Sequence, residues 1–323
     1  MTIIEADGFF SAFLKQRRFA LIPQWILFSL DISKPMKDIR KSFDNESTHN
    51  NLRKMRRYNY SYEVIRDPAK FDLFYREMYL PYAEKRFGDA SLIISRRQMK
   101  RVLNKGWLLL VKRDNEVLGG SILKDYEKTC LAHSLGLKDG NIKYLEQGVL
   151  TAAYYFIIHW AKDAGFERID FGYCRPFLRD GIIIYKKRWG MEVQKHDGAM
   201  GRGVMGIKFN AFSKAVRRFI SGNPFVLKDG EELRGLISAQ GNQSLTSEGL
   251  QLLMRIHDLK GLDGMMIINP QGFTQEAQKW AALSFPQKLH LVHMDIEPFF
   301  QSLTDQRINK KGNFDNFKGN APL

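Results

Sequence analysis

The sequence is poor in cysteine, with two residues, Cys130 and Cys174, in a chain of 323. Both lie in or beside apolar segments, and their spacing fits neither a disulfide framework nor a metal-ligand pattern. These features exclude a small disulfide-stabilised secreted domain, and we predict no metal site. Two reduced thiols are typical of a cytoplasmic protein.

Long hydrophobic runs are also missing. The longest apolar helix-like run, VLTAAYYFIIHWA, is too short to span a bilayer. The first residues, MTIIEADGFF, carry acids where a signal peptide has cations. We therefore predict a cytoplasmic protein without a transmembrane segment. Its hydrophobic content of 44% is sufficient for a folded core.

Acidic residues are too few to balance the basic ones: 35 Asp and Glu face 50 Lys and Arg, a net charge of +15. This excess predicts an anionic partner, which is a nucleotide cofactor, a nucleic acid or a membrane surface, although most surface charges only keep a protein in solution. Residues 241–300 do not share the excess, since they hold four basic and six acidic residues.

The excess is strongest from Lys34 to Arg57, where eight basic residues face three acidic ones. A tyrosine-rich strand, Tyr60 to Ile65, follows directly. A basic helix interleaved with aromatic residues is a pattern that holds phosphates or RNA.

Hydrophobic periodicity predicts a strand, two helices and three antiparallel strands up to Lys138, and then a helix, a strand, a helix and two strands. The clearest helix begins at Val149 and ends at Gly165. The strand FERIDFG follows it, which predicts a right-handed parallel crossover. The next helix lies between Asp180 and Gly190, and MEVQKH and VMGIKFN are predicted to form a hairpin.

A polar break, AQGNQSLTSEG, indicates a linker near Gly241. The predicted segments are an N-terminal segment over residues 1–58, a main domain over 59–240, a small α/β unit over 241–308 and a disordered tail over 309–323. The predicted fold class is α+β with a mixed sheet.

This order of elements resembles the GNAT acyltransferase fold. Within that fold, LEQGVLTAAYYFIIHWAKDAGFERIDFG followed by DGIIIYKKRWG resembles the FemAB-type aminoacyltransferases and related acetyltransferases of cell-wall and exopolysaccharide synthesis. Those proteins have a helix, an aGy…yDfG strand and a dGl…fK…fG helix. WILFSLDISKPMKDIRKSF and NNLRKMRRYNY also resemble the first segment of that branch. The resemblance does not extend to the C-terminal unit.

The resemblance implies a sheet that splays open between the KTCLAHSLGLK and FERIDFG strands, with the acyl donor in the cleft. Backbone amides at the N-terminus of the Val149 helix favour the donor's phosphates. The residues expected to bind the donor are Gly136, Leu137, Gln147, Gly148 and Val149. The usual GNAT pyrophosphate loop is absent, because Gly148 follows Gln147 at once. The expected donor is acetyl-CoA or another acyl-CoA, with aminoacyl-tRNA as the alternative.

Acyl transfer to an amine requires a base, donors for the oxyanion and an acid for the leaving group. Asp170 is a candidate base near the end of a parallel strand, although an acid there also commonly holds loop amides. The resemblance places Lys186 beside the reacting carbonyl, although a lysine at a helix end is also commonly solvated. Tyr173 and Tyr185 are candidate acids, with packing as the alternative.

The remaining candidates are expected to bind substrate. Two arginines in the loop after the FERIDFG strand suit a carboxylate or phosphate, a lone histidine lies in the preceding strand, and the resemblance implies an acceptor side on the helices after Pro68. The residues are Arg175, Arg179, His133, Tyr79, Tyr82 and Arg86. A base role is the alternative for His133.

The predicted function is an N-acyltransferase or aminoacyltransferase that acts on an amine of an amino sugar, a nucleotide-linked sugar or a peptide precursor, including peptidoglycan and polysaccharide precursors. The alternative is a non-catalytic GNAT-like scaffold that binds RNA, such as tRNA, or another polyanion.

Overall fold

The computed structural model describes residues 1–88, 93–195, 199–239 and 241–304. The tail predicted to be disordered, residues 309–323, lies outside the described residues. The chain forms two compact units. The first comprises Met1–Leu27, Tyr173–Lys186 and Glu192–Leu323, and the second comprises Phe28–Gly172 and Lys187–Met191.

Strands and helices are numbered along the chain. The strands are β1 (Thr2–Ala6), β2 (Ala20–Pro23), β3 (Ile26–Asp31), β4 (Ser61–Ile65), β5 (Gly106–Arg113), β6 (Glu116–Tyr126), β7 (Thr129–Leu137), β8 (Arg168–Cys174), β9 (Glu192–Gln194), β10 (Val204–Lys208), β11 (Phe225–Asp229), β12 (Glu232–Ser238), β13 (Gly264–Ile268) and β14 (Leu289–Val292).

The α-helices are α1 (Ser11–Gln16), α2 (Met36–Lys41), α3 (Asn45–Arg57), α4 (Pro68–Phe74), α5 (Leu80–Phe87), α6 (Arg96–Leu103), α7 (Ile142–Glu146), α8 (Val149–Asp163), α9 (Gly181–Arg188), α10 (Ala199–Arg202), α11 (Lys214–Gly222), α12 (Ser247–His257), α13 (Gln275–Ser284) and α14 (Ile296–Thr304). A π-helical turn, Tyr75–Tyr79, joins α4 to α5. In the described residues, no helix is long and apolar enough to cross a membrane.

The second unit contains the sheet that the sequence predicts. Its strands follow the order β4-β5-β6-β7-β8-β3, with β4 to β7 antiparallel and β7 parallel to β8. Helices α7 and α8 lie between the parallel strands β7 and β8, so the predicted parallel connection is confirmed, and its right hand stays a prediction. The predictions of an α+β fold with a mixed sheet, and of this order of elements, are therefore confirmed.

Helix α8 forms because its apolar residues recur at helical spacing and become buried, together with Tyr154 and Ile158 on another face of the helix. Val149, Ala152, Ala153, Phe156 and Ile157 are all buried. The helix ends where Gly165 adopts φ +86°, with the Phe166 amide bonded to the Ala161 carbonyl, so this predicted C-terminal cap is confirmed.

A second cluster of apolar side chains lies between the sheet and the helices α4 to α6. It is formed by Phe71, Phe74, Met78, Tyr79, Met99, Leu103, Leu108, Leu110 and Ile122. Asp67 begins α4 by accepting from the Ala69 amide, and Ser95 and Gln98 form a capping box at α6. The helices expected after Pro68 are thus confirmed.

The first unit contains two further sheets, in the orders β1-β10-β2 and β11-β12-β13-β14. The predicted hairpin of MEVQKH and VMGIKFN is wrong, because β10 pairs antiparallel with β1 and β2 and not with β9. A separate helix, α10, lies between the two segments. Strand β1 and helix α14 were not predicted.

The two units also cut across the predicted segments. Strands β13 and β14, which follow the polar break, extend the sheet of β11 and β12, which precede it. Residues 1–27 join this unit because β10 pairs with β1 and β2. Pairing between distant parts of the chain thus groups residues that composition alone separates.

Candidate active site

Strands β7 and β8 pair only at their first residues. The parallel register joins Thr129 to Arg168, Cys130 to Ile169 and Leu131 to Asp170, and it continues no further. Strand β7 runs on to Leu137 while paired with β6 on its other side. The parallel pairing of the two strands therefore ends at Asp170, which agrees with the opening between them that the resemblance implied.

A β-bulge lies in β7 beside this opening. Ile122 of β6 opposes Ser134, and Leu123 opposes Ala132, so His133 is the extra residue without a partner in the β6 ladder. Bulges redirect side chains and are common next to active sites. His133 thus lies two residues beyond the last β7–β8 pair, on backbone that deviates from the regular ladder.

The imidazole of His133 is partly buried, and its Nδ1 lies 2.8 Å from Oγ of Ser134. Burial, assisted by the charge of Lys124, lowers the pKa of His133 below its ordinary value of 6.5. The ring is therefore neutral at pH 7 and retains a nitrogen that can accept a proton. This feature makes His133 a stronger candidate for a base than the sequence indicated.

Asp170 ends the paired part of β8. Its Oδ1 accepts a hydrogen bond from the Gly172 amide at 2.6 Å, and Gly172 has φ +79°, a conformation that favours glycine. The carboxylate thus binds an amide of its own strand, and the alternative that it holds loop amides stays a prediction. The carboxylate thereby stabilises the backbone conformation of β8 after Asp170. The role of Asp170 as a base stays a prediction.

The residues at the N-terminus of α8 are enclosed by neighbouring elements. Gly148 adopts φ +89° and is buried, with the Lys54 Cβ 3.6 Å from the place a Gly148 side chain would occupy. Gln147 accepts from Arg113 through its side-chain oxygen, at 3.3 Å, and from the Tyr60 hydroxyl through its carbonyl, at 3.4 Å. Helix α3 thus leaves less space around Gly148 than the sequence predicted.

Two cations that sequence reasoning missed lie at this helix terminus. Lys54 donates to the Glu146 carbonyl at 3.1 Å, and Arg113 contacts Gln147 and lies 6.0 Å from the centre of the Tyr58 ring. Positive side chains and a helix N-terminus reinforce one another in attracting an anion. For Lys54, the signal in the sequence was the basic run from Lys34 to Arg57. For Arg113 there was no such signal, because it lies in β5 and no sequence pattern connects it with Gln147.

Three of the residues expected to bind the donor are packed in the core of the second unit. Leu137 and Val149 are buried, and the Val149 Cγ1 lies 3.0 Å from the position of a side chain at Gly119. A side chain at Gly136 would come within 2.7 Å of the Met78 and Tyr79 backbone. These three residues therefore pack in the core beside the opening and hold the elements around it in place.

The residues expected on the acceptor side lie on α5 and on the π-helical turn. The Tyr79 hydroxyl accepts from the Ile94 amide at 2.9 Å, and the ring is buried. Burial raises the pKa of Tyr82, with Arg86 opposing the shift. Arg86 itself is exposed. Tyr79 is thus held by the Ile94 backbone, whereas Tyr82 is partly buried and Arg86 is exposed on α5.

In the first unit, Lys186 is almost completely buried, with 3% of its surface exposed. The alternative of a solvated lysine is therefore wrong. Its ammonium group lies at hydrogen-bond distance from the thiol of Cys174, which is also buried. Burial raises the pKa of Cys174, and the charge of Lys186 opposes that shift. A buried ammonium group requires polar partners, so the residues around Lys186 determine where this group lies.

The other candidates of the first unit have local partners. Arg175 pairs with Glu5 at 3.0 Å and lies over the Trp25 ring at 4.1 Å, and Arg179 donates to the Gly222 carbonyl at 3.1 Å. Tyr173 lines a small pocket with Trp25 and Lys195, with space of about 30 Å³, enough for a single water molecule. Tyr185 is partly buried on α9.

Comparisons with known proteins found solved structures that are similar to part of this chain. Neither a protein-family model nor a curated protein matches the sequence. Among solved structures, the chain is similar to L-PGS from Bacillus licheniformis, with 11% identity, a TM-score of 0.43 and coverage of 64% of this chain and 68% of that one. It is also similar to FemX, with 13% identity, a TM-score of 0.42 and coverage of 58% and 62%.

A GCN5-related N-acetyltransferase from Sphaerobacter thermophilus is similar as well, with 9% identity, a TM-score of 0.36 and coverage of 64% of this chain and 59% of that one. The chain thus spans less than two thirds of the FemX and N-acetyltransferase chains.

Proposed function

We propose that the protein is an acyltransferase or aminoacyltransferase that forms an amide on an amine acceptor. The observation that carries this proposal is the opening between β7 and β8, where parallel pairing stops after three residues and a bulge begins. The donor's acyl group is proposed to lie in this opening, next to the ends of the two strands. His133 and Asp170 lie at its mouth.

The reaction at this opening needs a group that takes a proton. His133 is neutral at pH 7 because burial lowers its pKa, so it can accept the proton of the amine as nitrogen attacks the carbonyl carbon. The new carbon–nitrogen bond replaces the carbon–sulfur bond of a thioester or the carbon–oxygen bond of an ester, and the departing sulfur or oxygen takes up a proton. Asp170 is the alternative base.

The acyl donor is an anionic carrier, either acyl-CoA or aminoacyl-tRNA. Two features support the larger carrier. Gly148 is covered by Lys54, which leaves less room for a pyrophosphate than an open loop would. On the same helix, Arg53, Arg56 and Arg57 are exposed and suit a phosphate backbone.

The acceptor is an amine of an amino sugar, a nucleotide-linked sugar or a peptide precursor such as a peptidoglycan or polysaccharide precursor. Tyr82 and Arg86 on α5 are the residues proposed to meet it, since a hydroxyl and a guanidinium suit hydroxyl, carboxylate and phosphate groups of such precursors. The protein would act in the cytoplasm, where these precursors are made.

A donor and acceptor panel tests the proposal. Purified protein is mixed with acetyl-CoA or with a charged tRNA pool, together with amine precursors, and amide formation is followed by mass spectrometry. We expect one donor to be consumed only when an amine is present. His133→Gln and Asp170→Asn should each lower turnover, and Glu276→Gln, which changes an exposed acid on α13, is the control that should retain it.

The proposal fails if neither donor class binds or reacts. It also fails at the level of the site if His133→Gln and Asp170→Asn both retain full turnover.

A second candidate function is binding of RNA without catalysis. The specific observation is again the exposed row of Arg53, Arg56 and Arg57 on α3. Affinity for tRNA that falls steeply with salt, together with an intact ester after incubation, would support this candidate. Ester consumption, or affinity that does not change with salt, would reject it.

A further inference from the structure

Three phenylalanine side chains near the start of the first unit are displayed to solvent. Phe9 is 87% exposed, Phe10 51% and Phe13 52%, and the rings of Phe9 and Phe10 meet edge to face at 5.6 Å. We refer to these three residues as the phenylalanine patch. Large apolar side chains grouped on a surface mark an interaction site, whereas a single exposed one needs no explanation.

The backbone below the phenylalanine patch is anchored. Asp7 accepts from the Phe9 amide at 2.9 Å, and Gly8 packs so closely on the Arg202 carbonyl that no side chain would fit. On the opposite side of α1, Leu14 is buried in a cluster with Leu21 and Val204. The three rings therefore project from a fixed turn and helix, and their exposure is a property of the folded unit.

Cations border the phenylalanine patch. The Arg17 guanidinium lies 5.3 Å from the centre of the Phe13 ring, and Lys208 donates to the Arg17 carbonyl at 3.0 Å. Arg18 and Arg202 are exposed beside these elements. The patch thus combines apolar rings with a positive rim.

Of the two acids in the same segment, Glu5 is paired with a cation, because it accepts from Arg175 as well as from Gln24. Asp7 accepts from the neutral Phe9 amide and keeps its negative charge, which the cations of the rim outnumber. Lys15 is the one cation of this segment that an acid neutralises in the described residues, through its ion pair with Asp229. The local charge presented with the rings is therefore positive.

We propose that the phenylalanine patch docks the protein onto the surface of an anionic lipid bilayer. Aromatic rings insert at the boundary between headgroups and acyl chains, and Arg and Lys beside them pair with lipid phosphates. This interaction is additional to the proposed acyl transfer and does not depend on it.

Two other occupants fit less well. A second copy of the chain carries the same net charge of +15 and would repel the positive rim. RNA would meet the cations and stack on the rings, but the neighbouring exposed side chains Ile3, Ile4 and Met200 are aliphatic and would gain nothing from bases or phosphates. A bilayer accommodates both the aliphatic and the aromatic side chains.

The experiment is cosedimentation of the full chain with vesicles of phosphatidylcholine alone and of phosphatidylcholine mixed with phosphatidylglycerol. We expect binding to the anionic vesicles, and a loss of at least about tenfold in the partition coefficient for the triple variant Phe9→Ser, Phe10→Ser and Phe13→Ser. The control Leu283→Ser changes a side chain that is 74% exposed elsewhere in the same unit and should bind as the unchanged protein does. Circular dichroism verifies that both variants fold.

The proposal is overturned if the triple variant binds anionic vesicles as tightly as the unchanged protein, because net charge alone would then explain the binding. It is also overturned if light scattering shows a dimer that the triple substitution dissociates, or if the substitution weakens tRNA binding while vesicle binding is unchanged. Loss of vesicle binding in a folded triple variant, with the control unaffected, supports it.

Discussion

At the scale of single residues, the buried Lys186 makes a sharper test than the sequence allowed. Lys186→Met keeps the length of the side chain and removes the ammonium, so the buried space stays filled. If the ammonium stabilises charge in the reaction, the turnover of the folded variant should fall by about a hundredfold. The melting temperature should also fall, because the polar partners of the ammonium lose it. Lys187→Met at the next, partly exposed position is the control. Equal turnover in the two variants would reject a chemical role for Lys186.

A second prediction at the scale of single residues is that His133 contributes to the pH dependence of the free energy of unfolding. Because its pKa in the folded state is lowered, the unfolded chain binds a proton more readily below pH 6.5, and the free energy of unfolding must decrease as pH falls through that value. Removing the titrating group in His133→Gln should flatten this decrease. Urea unfolding measured at several pH values, with His159→Gln as a second lowered histidine for comparison, provides the check. An unchanged slope in His133→Gln would show that the lowered pKa is not a feature of the folded state.

At the scale of elements, Gly136 of β7 allows the strand to pack closely against the π-helical turn. Gly136→Ala would place a methyl group 2.7 Å from the Met78 and Tyr79 backbone and should lower the free energy of unfolding by about 1–3 kcal/mol, since overpacking forces backbone to move. Gly181→Ala has no atom within 4 Å and no positive φ, so it should be neutral or stabilise by about 0.5 kcal/mol. Chemical denaturation of both variants measures the difference, and an equal cost at the two positions would refute the packing explanation.

The same elements show what the sequence can and cannot predict. Helix α8 and the strands on either side of it follow from apolar spacing and from Gly165, because the residues that become buried recur at the period of the element. The bulge at His133 leaves no such record, since it depends on how β6 and β7 are aligned. The contact of Arg113 with Gln147 and the burial of Lys186 likewise arise from tertiary packing between segments far apart in the chain.

At the scale of the whole molecule, the C-terminal segment behaves as part of the first unit's core. Ile22 of β2 and Ile207 of β10 share one cluster with Ile268, Phe299 and other residues that follow the polar break. Deleting residues 241–323 would remove β13 from beside β12 and expose that cluster. Each buried Ile or Phe stabilises a fold by about 1.5–3 kcal/mol. The free energy lost with several of them therefore exceeds the free energy of unfolding of a domain, which is roughly 5–15 kcal/mol.

We therefore expect the chain ending at residue 240 to be unfolded or aggregated, whereas deletion of residues 305–323 alone, which removes none of the described elements, should leave a folded protein. Circular dichroism and size-exclusion chromatography of the two truncations make the comparison. A chain of 240 residues that melts cooperatively near the temperature of the full chain would instead support a separate accessory unit, because the strands before the polar break would then have completed their core without β13 and β14.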